Sequence, residues 1–323
     1  MKVILAGPYP EGTKEMFQQQ LKGCELAEVR DQQKYDALEK GDIIVVRVLK
    51  TTKETLKSKK ELKAVIRWGA GYDSVDIQEA GRRGILVATT PGANAYAVSE
   101  LALTLMLGIL RRIPEQNESM HEGIWDNSKY VEQMTSLNHK TVGIIGGGNI
   151  GRRVAGQVQA FGAKTVYYDV KRLEQETEQK LCLEYLPFEE LIQVSDVITI
   201  HIPLLDSTKH MIGAEEIRKM KAGVYIVNTA RGGLIDDEAL AEGLRSGTVA
   251  GAGLDCVENE DMKASPFRGM KNVILTPHIG GNTNDLPQEM VPRISEQIRN
   301  YARDKKLDYV VNKAFLKQSA DNE

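Results

Sequence analysis

One stretch limits the fold more than any other: TVGIIGGGNIGRRVAGQVQAFGAKTVYYD, Thr141 to Asp169. Thr141 to Ile145 is a short apolar run that reads as a buried strand. Gly146-Gly147-Gly148-Asn149-Ile150-Gly151 follows at once, then helical composition from Arg152, a strand over Lys164 to Tyr168, and Asp169. A G-x-G-x-x-G motif alone says little. Between a strand and a helix, with an acid about 20 residues on, it is a dinucleotide-binding fingerprint. Gly146 permits the tight turn, Gly148 lets the backbone approach a pyrophosphate, and Gly151 lets the helix pack close on the sheet. The helix start offers N–H groups and partial positive charge to phosphates. Asp169 suits the ribose hydroxyls of NAD and would repel a 2′-phosphate. Lys171 and Arg172 close behind attract such a phosphate but are expected not to reverse the preference. The competing reading is a glycine-rich turn in another α/β protein, a methyltransferase among them.

The rest of the chain repeats the alternation. From Lys140 onward, strands are expected at 141–145, 164–168, 197–202, 224–228, 250–254 and 273–275, with helical segments between most of them. That rhythm describes a doubly wound parallel sheet. Upstream, Val3–Ala6, Asp42–Val48, Leu62–Arg67 and Ile85–Ala88 read as strands, and Lys14–Leu21, Lys53–Leu62 and Ser74–Arg82 as helices. This second α/β unit has no phosphate-type glycine loop. Ala97 to Arg112 is apolar on nearly every face and must be buried, in a core or in a subunit interface. Ile113 to His139 is polar, holds Pro114 and Gly123, and reads as a connection across the surface. Asp285 to Tyr301 is helical again and most easily returns to the first unit. Pro292 inside it predicts a kink or a later start.

With 323 residues the chain is long enough for two domains. A composition of 41% hydrophobic and 27% charged residues argues for packed domains rather than disorder. A net charge of −3 argues against nucleic acid or an anionic membrane as the main partner. Leu101 to Leu110 is apolar but about half a membrane span. Cys24, Cys182 and Cys256 have no metal-like spacing and an odd count, which suits a reducing cytoplasm. The apolar part of MKVILAG is too short for a secretory signal.

In a doubly wound sheet, ligands bind beyond the carboxyl ends of the strands. Four segments there carry chemistry: HIPLLDST with His201, Pro203 and Thr208; NTARGGLID with Arg231; GLDCVENE with Asp255 and Glu260; and TPHIGG with His278. An arginine fork grips a carboxylate. A histidine exchanges a proton while hydride moves. A carboxylate orients the imidazole and favours its charged form. His201, ending an apolar strand, reads instead as a satisfied, partly buried histidine. Spacing does not fix which of Glu258, Glu260 and Asp261 meets His278. Arg47 and Arg67 end strands of the first unit, where a substrate tail could lie. Two arginines exceed what one carboxylate needs and argue for an anionic tail, ordinary surface pairing being the plain alternative.

The motifs GAGYDSVD, GILVATTPGANAYAVSELAL, GIIGGGNIGR, HIPLLDSTKHMI, NTARGGLIDDEAL, AGLD and LTPHIGG stand in a recognisable order. From about Asp42 to Asn312 the chain resembles the D-isomer-specific 2-hydroxyacid dehydrogenases, the family of phosphoglycerate, glyoxylate/hydroxypyruvate and D-lactate dehydrogenases. The resemblance implies two Rossmann-like or flavodoxin-like α/β domains with doubly wound parallel sheets. The substrate domain would comprise 1–100 plus 287–323, and the NAD-binding domain 101–286, inserted within it. It implies a homodimer built around the long helix, and a small 2-oxo or 2-hydroxy acid as substrate. The catalytic roles fall on Arg231, Glu260 and His278. Asn149, Ile150, Asp169, Thr229, Ala230, Asp255 and the loop from His278 through Gly280 and Gly281 match cofactor positions; Pro203 and Thr208 join them on the same rim. The N–H groups of Ala70 and Gly71 match a substrate-carboxylate site, and Arg47 and Arg67 match arginines that some phosphoglycerate dehydrogenases direct at a phosphate. There are departures: Asp261 stands where a proline usually follows the glutamate, and Ser99 where an alanine usually precedes Glu100. The chain stops near Glu323, so regulatory domains of the long phosphoglycerate enzymes are not expected. The main reading is an NAD-dependent dehydrogenase with an anionic-tailed substrate such as 3-phosphoglycerate. The alternatives are a hydroxypyruvate/glyoxylate or D-lactate-type reductase, and a non-enzymatic NAD(H)-sensing protein resembling the corepressor branch of this fold.

Overall fold

The apolar runs become strands buried on both faces, as parallel sheets covered by helices require. A computed structural model describes residues 1–316. It divides into two units, Met1–Asn94 with the segment from Asn284 onward, and Ala95–Thr283.

The first unit runs β1 (Lys2–Ala6), α1 (Thr13–Gln20), β2 (Glu25–Val29), α2 (Gln32–Ala37), β3 (Ile43–Val46), α3 (Lys53–Lys57), β4 (Ala64–Arg67), α4 (Ile77–Arg82) and β5 (Leu86–Ala88). Its parallel sheet has the order β2-β1-β3-β4-β5. That is the flavodoxin-like order, with its switch point between β1 and β3. The loops after β1 and β3 therefore border one crevice.

The second unit begins with α5 (Ala95–Leu110) and α6 (Ile113–His121). It continues with β6 (Thr141–Ile145), α7 (Asn149–Ala160), β7 (Lys164–Tyr168), α8 (Gln175–Leu181), β8 (Glu184–Tyr185), α9 (Phe188–Val194), β9 (Val197–Ile200), α10 (Ala214–Lys219), β10 (Val224–Asn228), α11 (Asp237–Ser246), β11 (Val249–Leu254) and β12 (Val273–Leu275). The order is β12-β11-β10-β9-β6-β7-β8. Counted from β6, this is the dinucleotide-binding order with β12 added at one edge, and the switch point lies between β6 and β9. Helix α5 packs on one face: Leu105, Met106 and Ile109 join a core with Val142, Ile144 and Val154.

The chain then returns to the first unit as α12 (Leu286–Asp304) and α13 (Lys313–Leu316). The return is fixed by Asn312. Its Oδ1 accepts from the Val87 N–H at 2.9 Å and its Nδ2 donates to the Ile85 carbonyl at 2.8 Å.

Several elements differ from expectation. β2, α2 and β8 had no counterpart in the sequence reading. The stretch read as a surface connection holds α6, with Pro114 in its first turn. There the missing N–H has no partner to lose. Helix α12 begins at Leu286 and continues through Pro292, so the later start is not found. Pro292 is exposed, while Val291, Ile294 and Ile298 are buried, and the helix packs against α1. Helix α5 is not covered all round: Leu101, Leu103 and Leu107 are half-buried and Thr104 is exposed.

Candidate active site

The loop between β6 and α7 has a distinct steric reason for each glycine. Gly146 has φ +108°, and a Cβ there would sit 2.6 Å from the carbonyl oxygen of His201. A Cβ on Gly151 would collide with the carbonyl oxygen of Gly146. Gly148 faces open space, with nothing within 4 Å of its Cβ position. It caps α7, so the helix N-terminus opens there beside the exposed Asn149 and half-buried Ile150. This cradle fits a diphosphate, which needs close backbone approach and a helix N-terminus. Asp169 at the end of β7 accepts the Gly147 N–H on Oδ2 at 2.8 Å. Arg152, which sequence reasoning missed, fixes the loop from the helix side by donating from Nε to the Gly147 carbonyl at 2.7 Å. Arg172 is turned to Glu178: Nε and Nη2 reach its two carboxylate oxygens at 2.9 Å each. That fork holds the Glu178 carboxyl below the usual carboxylate range.

Beyond β9 and β10, polar groups converge. His201 Nε2 lies 2.9 Å from Thr199 Oγ1, while Nδ1 is buried without a partner. Burial pushes this imidazole down to about 3, so it stays neutral. The Thr229 hydroxyl is likewise buried and unpartnered. Two orphaned groups at the carboxyl ends of β9 and β10 are what a polar ligand would satisfy. Thr208 instead closes its own loop: its hydroxyl donates to the Pro203 carbonyl at 2.8 Å and accepts the Leu205 N–H at 2.8 Å. Arg231 is set by Asn228, another residue the sequence did not flag. The Asn228 amide donates to the Arg231 carbonyl at 2.8 Å and accepts the Ala230 N–H at 3.0 Å. A Cβ on Gly232 would collide with the Val257 carbonyl, so this turn sits directly on the segment after β11.

Asp255 ends β11 and is 2% exposed. It gathers the loop after β12. Oδ1 accepts from Thr276 Oγ1 at 2.6 Å and the Ile279 N–H at 2.8 Å, and Oδ2 accepts the Gly280 N–H at 2.8 Å. Gly280 is buried and Gly281 half-buried. His278, inside this loop, has φ +52°, and Glu260 opposite it has φ +47°. Each such backbone costs on the order of 1 kcal/mol. What they achieve is a meeting: His278 Nδ1 lies 2.7 Å from Glu260 Oε1. A carboxylate only accepts, so Nδ1 carries the hydrogen and Nε2, across the ring, is the atom left to exchange a proton. The neighbouring acids are engaged elsewhere. Glu258 Oε1 is 3.1 Å from His210 Nε2, and Asp261 Oδ1 accepts the Lys263 N–H at 2.9 Å. Beside the His278–Glu260 pair opens a cavity of about 270 Å³, walled by Val257, Met262, Leu275 and Pro277.

In the first unit, the strand-end arginines brace backbone. Arg67 Nε donates to the Gly71 carbonyl at 2.8 Å, and Nη1 to the carbonyls of Val46, at 3.1 Å, and Arg47. Arg47 Nη1 donates to the Pro8 carbonyl, and burial lowers its pKa. Gly69, at φ +131°, starts the turn that leaves Ala70 exposed and Gly71 half-exposed. Tyr9, unnoticed in the sequence, stands its ring edge-on to Trp68 at 5.0 Å and donates to the Val45 carbonyl at 2.8 Å.

Residues 103–280 match the family model described as D-isomer specific 2-hydroxyacid dehydrogenase, NAD binding domain. The chain is 37% identical over 275 residues to a glyoxylate reductase of Thermococcus litoralis, covering 84% of this chain and 83% of that one. It is 43% identical over 261 residues to a hydroxypyruvate reductase of Thermotoga maritima, covering 80% and 83%. Among solved structures, a glyoxylate reductase from Paecilomyes thermophila superposes with a TM-score of 0.85 at 31% identity, over 96% of this chain and 98% of that one.

Proposed function

The chain belongs to the D-isomer-specific 2-hydroxyacid dehydrogenase family and is an NAD-dependent oxidoreductase, and from that premise we propose that it interconverts a small 2-oxo acid and the D-2-hydroxy acid. The observation that carries the assignment of roles is the 2.7 Å contact between His278 Nδ1 and Glu260 Oε1. Glu260 holds the ring and balances the charge it carries before transfer. His278 Nε2 gives its proton to the C2 oxygen in reduction and takes it back in oxidation. Arg231, in the turn set by Asn228, grips the carboxylate with its fork. In the first unit, the Ala70 and Gly71 N–H groups are assigned to binding a substrate carboxylate. When bound at the Gly148 cradle, the nicotinamide cofactor supplies or accepts the hydride. Asp169 holds the ribose, while Thr229, Ala230, Pro203 and the loop ordered by Asp255 line the rim. The segmented unit takes the substrate role and the inserted unit the cofactor role.

For the substrate tail we favour a small, uncharged group, as in glyoxylate or hydroxypyruvate. Arg47 and Arg67 prompted the expectation of an anionic tail, yet both direct donors at backbone carbonyls. The test is NADH oxidation against glyoxylate, hydroxypyruvate, phosphohydroxypyruvate, pyruvate and 2-oxoisocaproate. No turnover with any of them sinks the enzymatic reading. A preference for phosphohydroxypyruvate that is lost in Arg47→Ala and Arg67→Ala restores the anionic tail.

A homodimer through α5 and α6 belongs to the same reading. Ile113, Met120, Ile124 and Trp125 are exposed in one stretch, Trp125 at 83%. A monomeric mass by light scattering would end it. A cytoplasmic setting suits the free thiols Cys24, Cys182 and Cys256; recovery of the enzyme outside the cytoplasmic fraction would count against it.

A further inference from the structure

Glu258, the acid that does not meet His278, has its own partner. Its Oε1 lies 3.1 Å from His210 Nε2 and 3.8 Å from Lys209 Nζ. Its N–H donates to Asp237 Oδ2 at the start of α11, at 2.9 Å. His210 is held at φ +51°, and its N–H donates to the Gly233 carbonyl at 2.7 Å. Glu258 Cγ lies 3.9 Å from the Cβ position of Gly233. The turn Arg231–Gly233 is therefore flanked by residue 210 on one side and residues 257–258 on the other. The His210–Glu258 contact closes a ring around it. Three segments meet at that ring: 203–210 with Pro203 and Thr208, 229–233 with Arg231, and 255–260 with Asp255 and Glu260.

We propose that His210 and Glu258 are positioning residues for the dehydrogenase reaction, locking the turn of Arg231 and the loop of Glu260 into one register. The inference rests on the roles assigned above to Arg231 and Glu260. The pair's side chains are 38% and 31% exposed, and contacts so exposed add little to global stability. Their effect falls on geometry, where a misplacement of about 1 Å can cost on the order of a hundredfold in rate. With the ring open, the carboxylate grip and the proton-exchanging pair shift independently.

The test is a double-mutant cycle in the full-length enzyme. His210→Ala and Glu258→Ala should each lower kcat for the preferred 2-oxo acid by roughly tenfold and raise its KM several-fold. NADH affinity by fluorescence titration and the thermal midpoint should stay near wild type. The double variant should be no worse than the poorer single one. His210→Gln and Glu258→Gln, which keep a donor and an acceptor, should recover most of the loss. The proposal is overturned if either alanine variant keeps kcat within about twofold of wild type, if the two losses multiply, or if activity falls only in step with the thermal midpoint. Should the wild-type chain reduce no 2-oxo acid, the failure belongs to the functional reading. Hydrogen exchange then judges the lock alone: His210→Ala should speed exchange in 229–233 and 255–260, and unchanged exchange overturns it.

Discussion

Arg231 tests the difference between a fork and a point charge. Its turn is held by Asn228, and Arg231 Nη1 donates to the Ala230 carbonyl at 2.7 Å, so Arg231→Lys changes the head group and that contact while the Asn228 bonds stay. The lysine variant should raise the 2-oxo acid KM by roughly tenfold and lower kcat, with NADH affinity nearly unchanged. Wild-type kinetics would remove Arg231 from the carboxylate. His201 tests burial instead. The folded chain keeps it neutral down to about pH 3, whereas unfolded it titrates near 6.5. Between those values the unfolded chain binds a proton that the folded one refuses, so stability falls as pH drops, by ~1.4 kcal/mol per pH unit. His201→Asn lacks that slope, so its urea midpoint should fall less steeply than the wild type's below pH ~6.5. Parallel curves would show a protonated His201 in the fold. Some roles at this scale were open to sequence reading and some were not. The roles proposed for Arg231 and His278 follow from residue type and place at the strand ends. For Glu260 spacing alone is not enough, and the resemblance supplies it: three acids lie within four residues of one another, and a left-handed turn at 260 brings Glu260 to His278. Asn228 meets the backbone of its own turn, and His210 meets Glu258, 48 residues away in sequence; residue type signals neither contact.

Among elements, the β6–α7 loop separates two kinds of glycine. Gly151→Ala has no room and should push α7 off β6, destabilising the unit by ~1–3 kcal/mol and weakening NADH binding. Gly148→Ala meets only open space and has an ordinary φ of −74°. It should leave the thermal midpoint in place yet still weaken NADH binding, because the methyl group crowds the phosphates. Equal effects of the two substitutions on the midpoint would contradict this division. The same sterics explain which elements could be read in advance. β1, β3 and β6 are nearly continuous apolar runs because both faces are covered. β2, ELAEV, and β8, only two residues long, sit at sheet edges and carry no such run. Prolines misled in both directions, since one opens α6 and the other rides the exposed side of α12.

At the scale of the molecule, the thiols give a reading of opening. Cys182 is exposed, Cys24 is half-buried, and Cys256 is buried, with burial pushing its thiol up to about 12. Mild alkylation near neutral pH should modify Cys182 first and Cys256 only when the second unit opens. NADH should slow the Cys256 reaction while leaving Cys182 unchanged, since a ligand that binds only the folded unit reduces its opening. Rapid labelling of Cys256 would mean that the strand ends around Arg231 open far more readily than their packing implies. The two sheet orders were legible only as a class, alternating strands and helices; which strand neighbours which is decided by crossovers that leave no trace in composition. The left-handed backbones of Glu260 and His278 set a limit on improvement. Glycine would relax both turns, and no other residue would do so as readily. Selection for heat resistance alone should therefore drift toward glycine at both positions and produce hardier chains that no longer turn over substrate.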